Sequence, residues 1–553
     1  MGKNIVLCSD GTGNKGGQGD VTNVWRIFKA VDVHAHRYTN NGNSKTNGNS
    51  KTADYGKEQI AFHDDGVGTQ NLKFLKMFGG AFGWGLSENV RNLYLQLVRV
   101  YDPGDQIYLF GFSRGAFTIR TLAGLIILCG IVDRFSRDGN GKPSQIKTDE
   151  NLQILVKNAY KAYRKSYPRT TFDRFKSEKG GKKRLLKPGK NFKQTSAIKD
   201  EIYAPDGDIK IRFIGVWDTV DAVGLPLDKL TPVLDRVRPV RFTDLKLSQQ
   251  VTKACHAISI DDERYTFHPV MWDETGENDD RIEQVWFAGV HSNVGGGYPK
   301  QGMALVSLDW MIERAREAGL EVQEGEQESI RRQANVDDKL YNSRAGFAVY
   351  YRYLPRNIQR ISEAHGIETP KIHFTVFSRI HNGTEGYAPG YIPDGFKIEI
   401  TERDNPPRWQ GPDRLVDIKK VVSQCLRDNE AKVNRSHKLV GCRIRLNRVF
   451  IGVSLVLALG TLYHVPVFQN VDGALNWLGA IVTFLISPVD QLNDAAIAMY
   501  RANWALVWLP IGTNVVVFVT SYIIRGQTRK LLQSMWNSAR LEYQRILDKE
   551  YST

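Results

Sequence analysis

Gln106-Ile107-Tyr108-Leu109-Phe110-Gly111-Phe112-Ser113-Arg114-Gly115-Ala116-Phe117 is the stretch on which the reading of this chain turns. An apolar strand, Gln106–Phe110, runs into Gly111-Phe112-Ser113-Arg114-Gly115, a GxSxG pattern, and then into a largely apolar helix, Gly115–Cys129. By itself the pattern is weak. Strand, sharp turn and helix in direct succession are what a nucleophile elbow requires, because the two glycines let strand and helix approach closely around a strained serine. The hydroxyl of Ser113 is then expected above the end of the sheet, beside a helix N-terminus that favours negative charge.

Working outward, the chain alternates strand and helix signals. Ile5–Cys8, Ile60–His63, Ile211–Trp217 and Gln284–Ala288 read as strands, and Lys371–Ser378 as a late one. Val24–Val33, Ser87–Tyr101 and Met303–Gly319 read as helices; in the second, Val90, Leu93, Tyr94, Leu97 and Val98 have helical spacing. Such alternation predicts an α/β fold, a mainly parallel sheet with helices on both faces. Asn40–Thr52 is an Asn/Ser/Lys/Gly surface loop.

A serine hydroxyl needs a base, and the base an orienting acid. In α/β-hydrolases these follow the serine in the order acid, then histidine, at strand ends. Ile211–Trp217 ends in Asp218, and Gln284–Val290 ends in His291. Asp221, Asp261 and Asp262 compete for the acid; His63, His256 and His268 compete for the base. His256 lies in an apolar, helix-like stretch and reads as a core residue or one that backs the site. The expected catalytic set is Ser113, Asp218 and His291. The oxyanion hole is expected from the Arg114 N–H and from the turn Asp10-Gly11-Thr12-Gly13 after the first strand, with Gly11 and Thr12 as donors. Asp10 either orients that loop or holds a cation. The turn at Gly66 is a second candidate wall. Neither turn has P-loop spacing.

The sequence has 553 residues, ample for a large core, and a formal charge of +15. Fourteen Lys or Arg stand against two acids between Lys157 and Lys193, a basic insertion suited to anionic headgroups, with Lys182, Lys183 and Arg184 as the expected membrane contacts. Its other reading is a solvated, soluble insertion. No nucleic-acid module surrounds it, so nucleic acid is not an expected partner. Five scattered cysteines show neither a disulfide framework nor zinc spacing and fit a reducing compartment. No metal site and no required cofactor are expected. The first apolar run is too short for a signal peptide, which places the catalytic part in the cytoplasm.

Composition divides the chain into a catalytic domain, residues 1–412, a charged linker helix, 413–448, a membrane segment, 449–524, and a C-terminal cytoplasmic helix, 525–553. The helix is expected over Leu415–Arg445. Two spans are expected, about 449–468 and 503–524, with 474–486 re-entrant or interfacial. Arg443, Arg445 and Arg448 precede the first, and Arg525, Arg529 and Lys530 follow the last. Cations at both outer ends predict that both ends are cytoplasmic.

Several blocks occur in one order: Ser9-Asp10-Gly11-Thr12-Gly13-Asn14, Asp65-Gly66-Val67-Gly68-Thr69, Gly111 to Phe117, Val216-Trp217-Asp218-Thr219-Val220, Asp262-Glu263-Arg264, and Trp286 through Tyr298. Together they resemble the α/β-hydrolase domain of the type VI secretion phospholipase effectors over roughly residues 1–400. The resemblance implies a phospholipase or related lipid esterase with a triad carried by Ser113, Asp218 and His291, acting on membrane phospholipid, with a regulatory or immunity protein as a further partner. Asn293 departs from it, standing where the family often has Asp, so a cation role there is in doubt. The C-terminal hairpin departs from a freely secreted toxin. The expectation is therefore a lipid hydrolase anchored to a bacterial inner membrane, serving lipid turnover or membrane-damaging defence. The rival readings are a catalytically silent scaffold or ligand-sensing module on a hydrolase fold, and a non-lipid esterase or thioesterase.

Overall fold

The computed structural model describes residues 2–11, 21–33, 58–65, 82–137, 143–165, 202–203, 209–221, 245–277, 280–400, 412–463, 501 and 504–549. Thr12, Gly66, Lys182, Lys183, Arg184 and the segment 474–486 lie outside them.

Eight strands form the main sheet: β1 (Asn4–Ser9), β2 (Gln59–Asp64), β3 (Gln106–Phe112), β4 (Ile211–Trp217), β5 (Val251–Ser259), β6 (Ile282–Phe287), β7 (Lys371–His373) and β8 (Lys397–Glu399). Their order is β8-β7-β6-β5-β4-β3-β1-β2, and every pairing is parallel. Between β1 and β3 the winding reverses, and the crevice above such a reversal is where α/β sheets place their sites.

Alternation along the strands splits the core. Ile5, Leu7, Ile107 and Leu109 face α2 (Phe82–Val100), α3 (Arg114–Cys129) and α4 (Asp149–Lys165). Val6, Cys8, Tyr108 and Phe110 face α1 (Asn23–Ala30) and α6 (Gly302–Glu317). A continuous apolar strand covered on both sides is the usual signature of a parallel sheet. Val90, Leu93, Tyr94, Leu97 and Val98 are all buried, as their spacing requires. Between β6 and α6 lies the short α5 (His291–Gly295); α7 (Glu326–Gln333) and α8 (Ile358–Glu363) follow α6.

Two sequence expectations fail here. His256 lies in strand β5, not in a helix: Ala254 through Ser259 are buried on both faces, so their uninterrupted apolarity carries no period to separate strand from helix. The expected strand Lys371–Ser378 stops at His373 and continues as helix α9 (Phe374–Asn382). Phe374, Val376, Phe377 and Ile380 form its buried stripe. His373 begins that helix, its ring Nδ1 accepting from Thr375 N.

After residue 411 come α10 (Pro412–Asp428), α11 (Glu430–Tyr463) and α12 (Trp504–Lys549). The helix expected over Leu415–Arg445 is therefore two, broken at Asn429, whose side-chain amide donates to Cys425 O at 2.9 Å. Residues from α10 and α12 (Ile418, Val422, Leu532, Met535, Trp536) share one buried cluster with Trp286, Ile372 and Phe377. Trp536 Nε1 donates to Pro389 O at 2.9 Å. Among the described residues one helix, Val507–Tyr543 within α12, is long and apolar enough to cross a membrane.

Candidate functional site

Ser113 directly follows β3 at φ 59° and ψ −121°, a backbone that L-residues adopt only under constraint. The constraint is close packing. A Cβ on Gly115 would come within 2.1 Å of Ser9 O, and one on Gly111 within 2.7 Å of the Ala116 Cα, so both positions need glycine. The α3 helix thus begins against the end of β1, with Arg114 as its first residue. Ser113 is 6 % exposed.

The structure brings the three expected side chains together across three strand ends. His291, at the start of α5 after β6, has Nε2 2.8 Å from Ser113 Oγ and Nδ1 2.6 Å from Asp218 Oδ2. An ionised carboxylate only accepts, so Nδ1 carries the proton and Nε2 accepts from the serine hydroxyl. Burial lowers the His291 imidazole below its ordinary 6.5, and Asp218 opposes only part of that, so the neutral ring is favoured at pH 7. Phe112 tilts over the ring at 4.6 Å between centroids, and Phe267 meets it edge-on at 5.0 Å.

Asp218 is itself strained, at φ 39°, and fully buried. Its carboxylate accepts from Ser259 N at 3.0 Å and Ser259 Oγ at 3.2 Å besides His291. Sequence reasoning missed a further partner. Arg356, 1 % exposed, grips both oxygens, Nη1 to Oδ1 at 2.6 Å and Nη2 to Oδ2 at 2.9 Å. Arg356 also donates to Ser259 O at 2.6 Å and to Phe267 O. Burial alone would raise the Asp218 carboxyl, yet Arg356 and His291 hold it well below the usual carboxylate range. Arg356 sits in Tyr353-Leu354-Pro355-Arg356, a stretch with no motif, and contacts Asp218 only through the fold.

The competing residues have other partners. His256 Nε2 accepts from Thr219 N at 3.1 Å and so fixes the turn after Asp218; burial, reinforced by Arg120, lowers it to about 3. His268 donates to Leu354 O, and burial lowers it to about 4. Asp262 pairs with Arg264 at 2.7 Å and accepts from His291 N at 3.3 Å. Asp261 accepts from Gly289 N and Tyr387 Oη. His63 lies 3.4 Å from Asp10.

At the expected oxyanion wall, Asp10 orients its own loop: Oδ1 accepts from Gly11 N at 2.7 Å and Oδ2 from Thr22 Oγ1 at 2.8 Å, so the Gly11 N–H expected as an oxyanion donor is bonded to Asp10 instead. Asn293 bonds inside the protein, donating to Lys339 O and accepting from Tyr341 N. Among the described residues no group of three His, Cys, Asp or Glu side chains stands ready for a metal ion.

A parallel sheet carrying Ser, Asp and His in that chain order at its strand ends defines the α/β-hydrolase class of fold. Within it the chain belongs to the family described as type VI secretion system phospholipase effector, Tle1-like, catalytic domain, which matches residues 3–314. Arg356 lies beyond the matched residues. The chain is also similar to an uncharacterized protein of Saccharomyces cerevisiae, YEL023C, with 27 % identity over 282 residues. The alignment covers 48 % of this chain and 32 % of that protein, so the chain spans about a third of its relative's length. A crystal structure of an uncharacterized protein from Pseudomonas aeruginosa has a TM-score of 0.32 and 16 % identity, covering 60 % of this chain and 49 % of that one.

Proposed function

We propose that this protein is a serine carboxylic-ester hydrolase that cleaves acyl esters of membrane phospholipids, held at the bilayer by its C-terminal helices. The observation that carries the reading is the unbroken relay from Ser113 Oγ through His291 to Asp218, at 2.8 and 2.6 Å, on a strained turn. Ser113 Oγ attacks the acyl carbonyl carbon while its proton passes to His291 Nε2. Asp218 keeps the ring oriented and stabilises the imidazolium. The oxyanion is held by the main-chain N–H of Arg114, the first residue of α3. As the tetrahedral adduct collapses, His291 returns the proton to the departing lysophospholipid oxygen. Water, deprotonated by the same nitrogen, then releases the fatty acid from Ser113.

The family supports a lipid-ester substrate. The apolar helix Val507–Tyr543 supports residence at a membrane. With Arg443, Arg445 and Arg448 before the first apolar stretch and Arg525, Arg529 and Lys530 after the last, both ends face the cytoplasm of a bacterial inner membrane in this reading. Fluorophosphonate labelling of the purified full chain tests it. Wild type should label at Ser113 and lose the label on Ser113→Ala. A wild-type chain that resists the probe while hydrolysing no lipid would favour a silent scaffold.

A further inference from the structure

Away from Ser113 the protein holds a cavity of about 460 Å³ where the catalytic unit meets α11 and α12. This lies within the ~300–1,000 Å³ of ordinary ligand pockets. Its walls include Asp262 and Arg356, which brace His291 and Asp218, but neither Ser113 nor His291.

One hydrogen bond shows the cavity's depth relative to the apolar helices. Asn514 Nδ2 donates to Ser454 Oγ at 2.9 Å, marking the antiparallel register of α11 and α12. Eleven residues back from Ser454 is Arg443; eleven on from Asn514 is Arg525. These two arginines are therefore level with each other, at the foot of a hairpin whose flank exposes Val449, Val456, Leu509, Val516, Phe518 and Ile523. If that flank meets hydrocarbon, the arginines stand at headgroup depth.

The chemistry of the lining fits an anion. Its four acids are already engaged: Glu385 with Arg379 at 3.0 Å, Asp262 with Arg264 at 2.7 Å, Glu263 with Arg443 at 3.7 Å, and Asp261 with Gly289 N and Tyr387 Oη. Arg443 is 5 % exposed. It donates to Tyr353 Oη at 2.5 Å, lies 3.7 Å from Glu263, and leaves its buried Nε without a partner. Arg525 has no ion-pair partner among the described residues, and Arg529, one turn on, donates only to the Glu385 carbonyl. The surplus is cationic. Arginine side chains with unused donors in a half-enclosed pocket are suited to phosphate oxygens.

We propose that this cavity binds the phosphate-bearing headgroup of an anionic glycerophospholipid, at a lipid site separate from Ser113. The proposal rests on reading α11 and α12 as membrane-embedded, and not on the triad. A headgroup there would touch the residues that brace Asp218 and His291, so the composition of the bilayer would be felt at the catalytic residues.

Native mass spectrometry of the full chain in detergent tests it, in a Ser113→Ala background so that no lipid is consumed. Phosphatidylglycerol adducts should exceed phosphatidylcholine adducts about tenfold. Arg525→Gln with Arg529→Gln should lower them about tenfold, whereas Arg445→Gln with Arg448→Gln, exposed arginines outside the cavity, should leave them unchanged. Equal adducts with both lipids, or equal losses from both pairs of substitutions, would overturn the site. Inorganic phosphate or glycerol 3-phosphate binding as well as phosphatidylglycerol would make it a site for soluble phosphates and overturn the lipid assignment. Flotation with liposomes separates the failures: a chain that floats without adducts refutes only the site, and one that stays in the aqueous layer refutes the anchoring.

Discussion

Arg356→Gln is the substitution that most sharply separates a positioning role from a merely structural one. Asp218 accepts five hydrogen bonds, two of them from Arg356 at 2.6 and 2.9 Å, and both partners are buried. Removing one member of a buried pair costs about 3–5 kcal/mol of stability, so the variant should melt well below wild type yet fold at low temperature. Complete failure of an orienting aspartate costs about 10⁴ in kcat. Here Ser259 N and Oγ still hold the carboxylate, so the expected loss is about a hundredfold, or roughly 2.7 kcal/mol of barrier, with KM within about threefold. The pH profile carries the distinguishing sign. Without the guanidinium, the Asp218 charge bears undivided on His291, the imidazolium is stabilised, and the acid limb of kcat/KM moves to higher pH. Arg356→Lys should recover part of the rate. The assay is hydrolysis of a soluble ester from pH 4.5 to 9, with circular dichroism confirming the fold. A folded Arg356→Gln enzyme with the wild-type kcat and an unmoved acid limb would refute the reasoning.

Three other outcomes follow from the same structure. Gly115→Ala should fail to fold or lose most activity, since its Cβ would sit 2.1 Å from Ser9 O and overpacking costs about 1–3 kcal/mol even where neighbours yield; thermal melts against wild type check it. Burial depresses the His291 pKa below 6.5, so the acid limb of wild-type kcat/KM should lie below pH 6.5; a profile that has already halved at pH 7 would contradict this. Burial raises Asp261 to about 6, above an unfolded value near 3.8. Stability carried by its protonated form is complete below pH 3.8 and is lost as pH rises through 6, to the extent of about 3 kcal/mol by pH 8. Asp261→Asn should escape that loss, with its advantage over wild type, read by denaturant titration, growing from pH 4 to pH 8.

What could be read from the sequence was local. Ser113, Asp218 and His291 each follow an apolar run directly, because each stands at the C-terminal end of a buried strand, and a strand written as Ile-Tyr-Leu-Phe or Val-Trp announces its own end. Arg356 could not be found that way. It lies 138 residues from Asp218 in sequence and meets it only because the segment after α7 folds back over β4 and β5. The strand carrying His256 and the helix after His373 were obscured by burial, which makes strand and helix equally apolar over short lengths. The docking of α12 was hidden for a related reason. Leu532, Met535 and Trp536 continue the same helix that the apolar stretch begins, and hydropathy marks where apolarity ends, not what the next three turns pack against.

The central claim is that Ser113 cleaves an acyl ester of a membrane phospholipid. Mass-spectrometric profiling of bilayer lipids after incubation with purified wild type and Ser113→Ala tests it most directly. Lysophospholipid and free fatty acid should accumulate in equal amounts with wild type and stay at background with Ser113→Ala. Equal release by both proteins, or a water-soluble phosphorylated headgroup in place of lysolipid, would contradict the account.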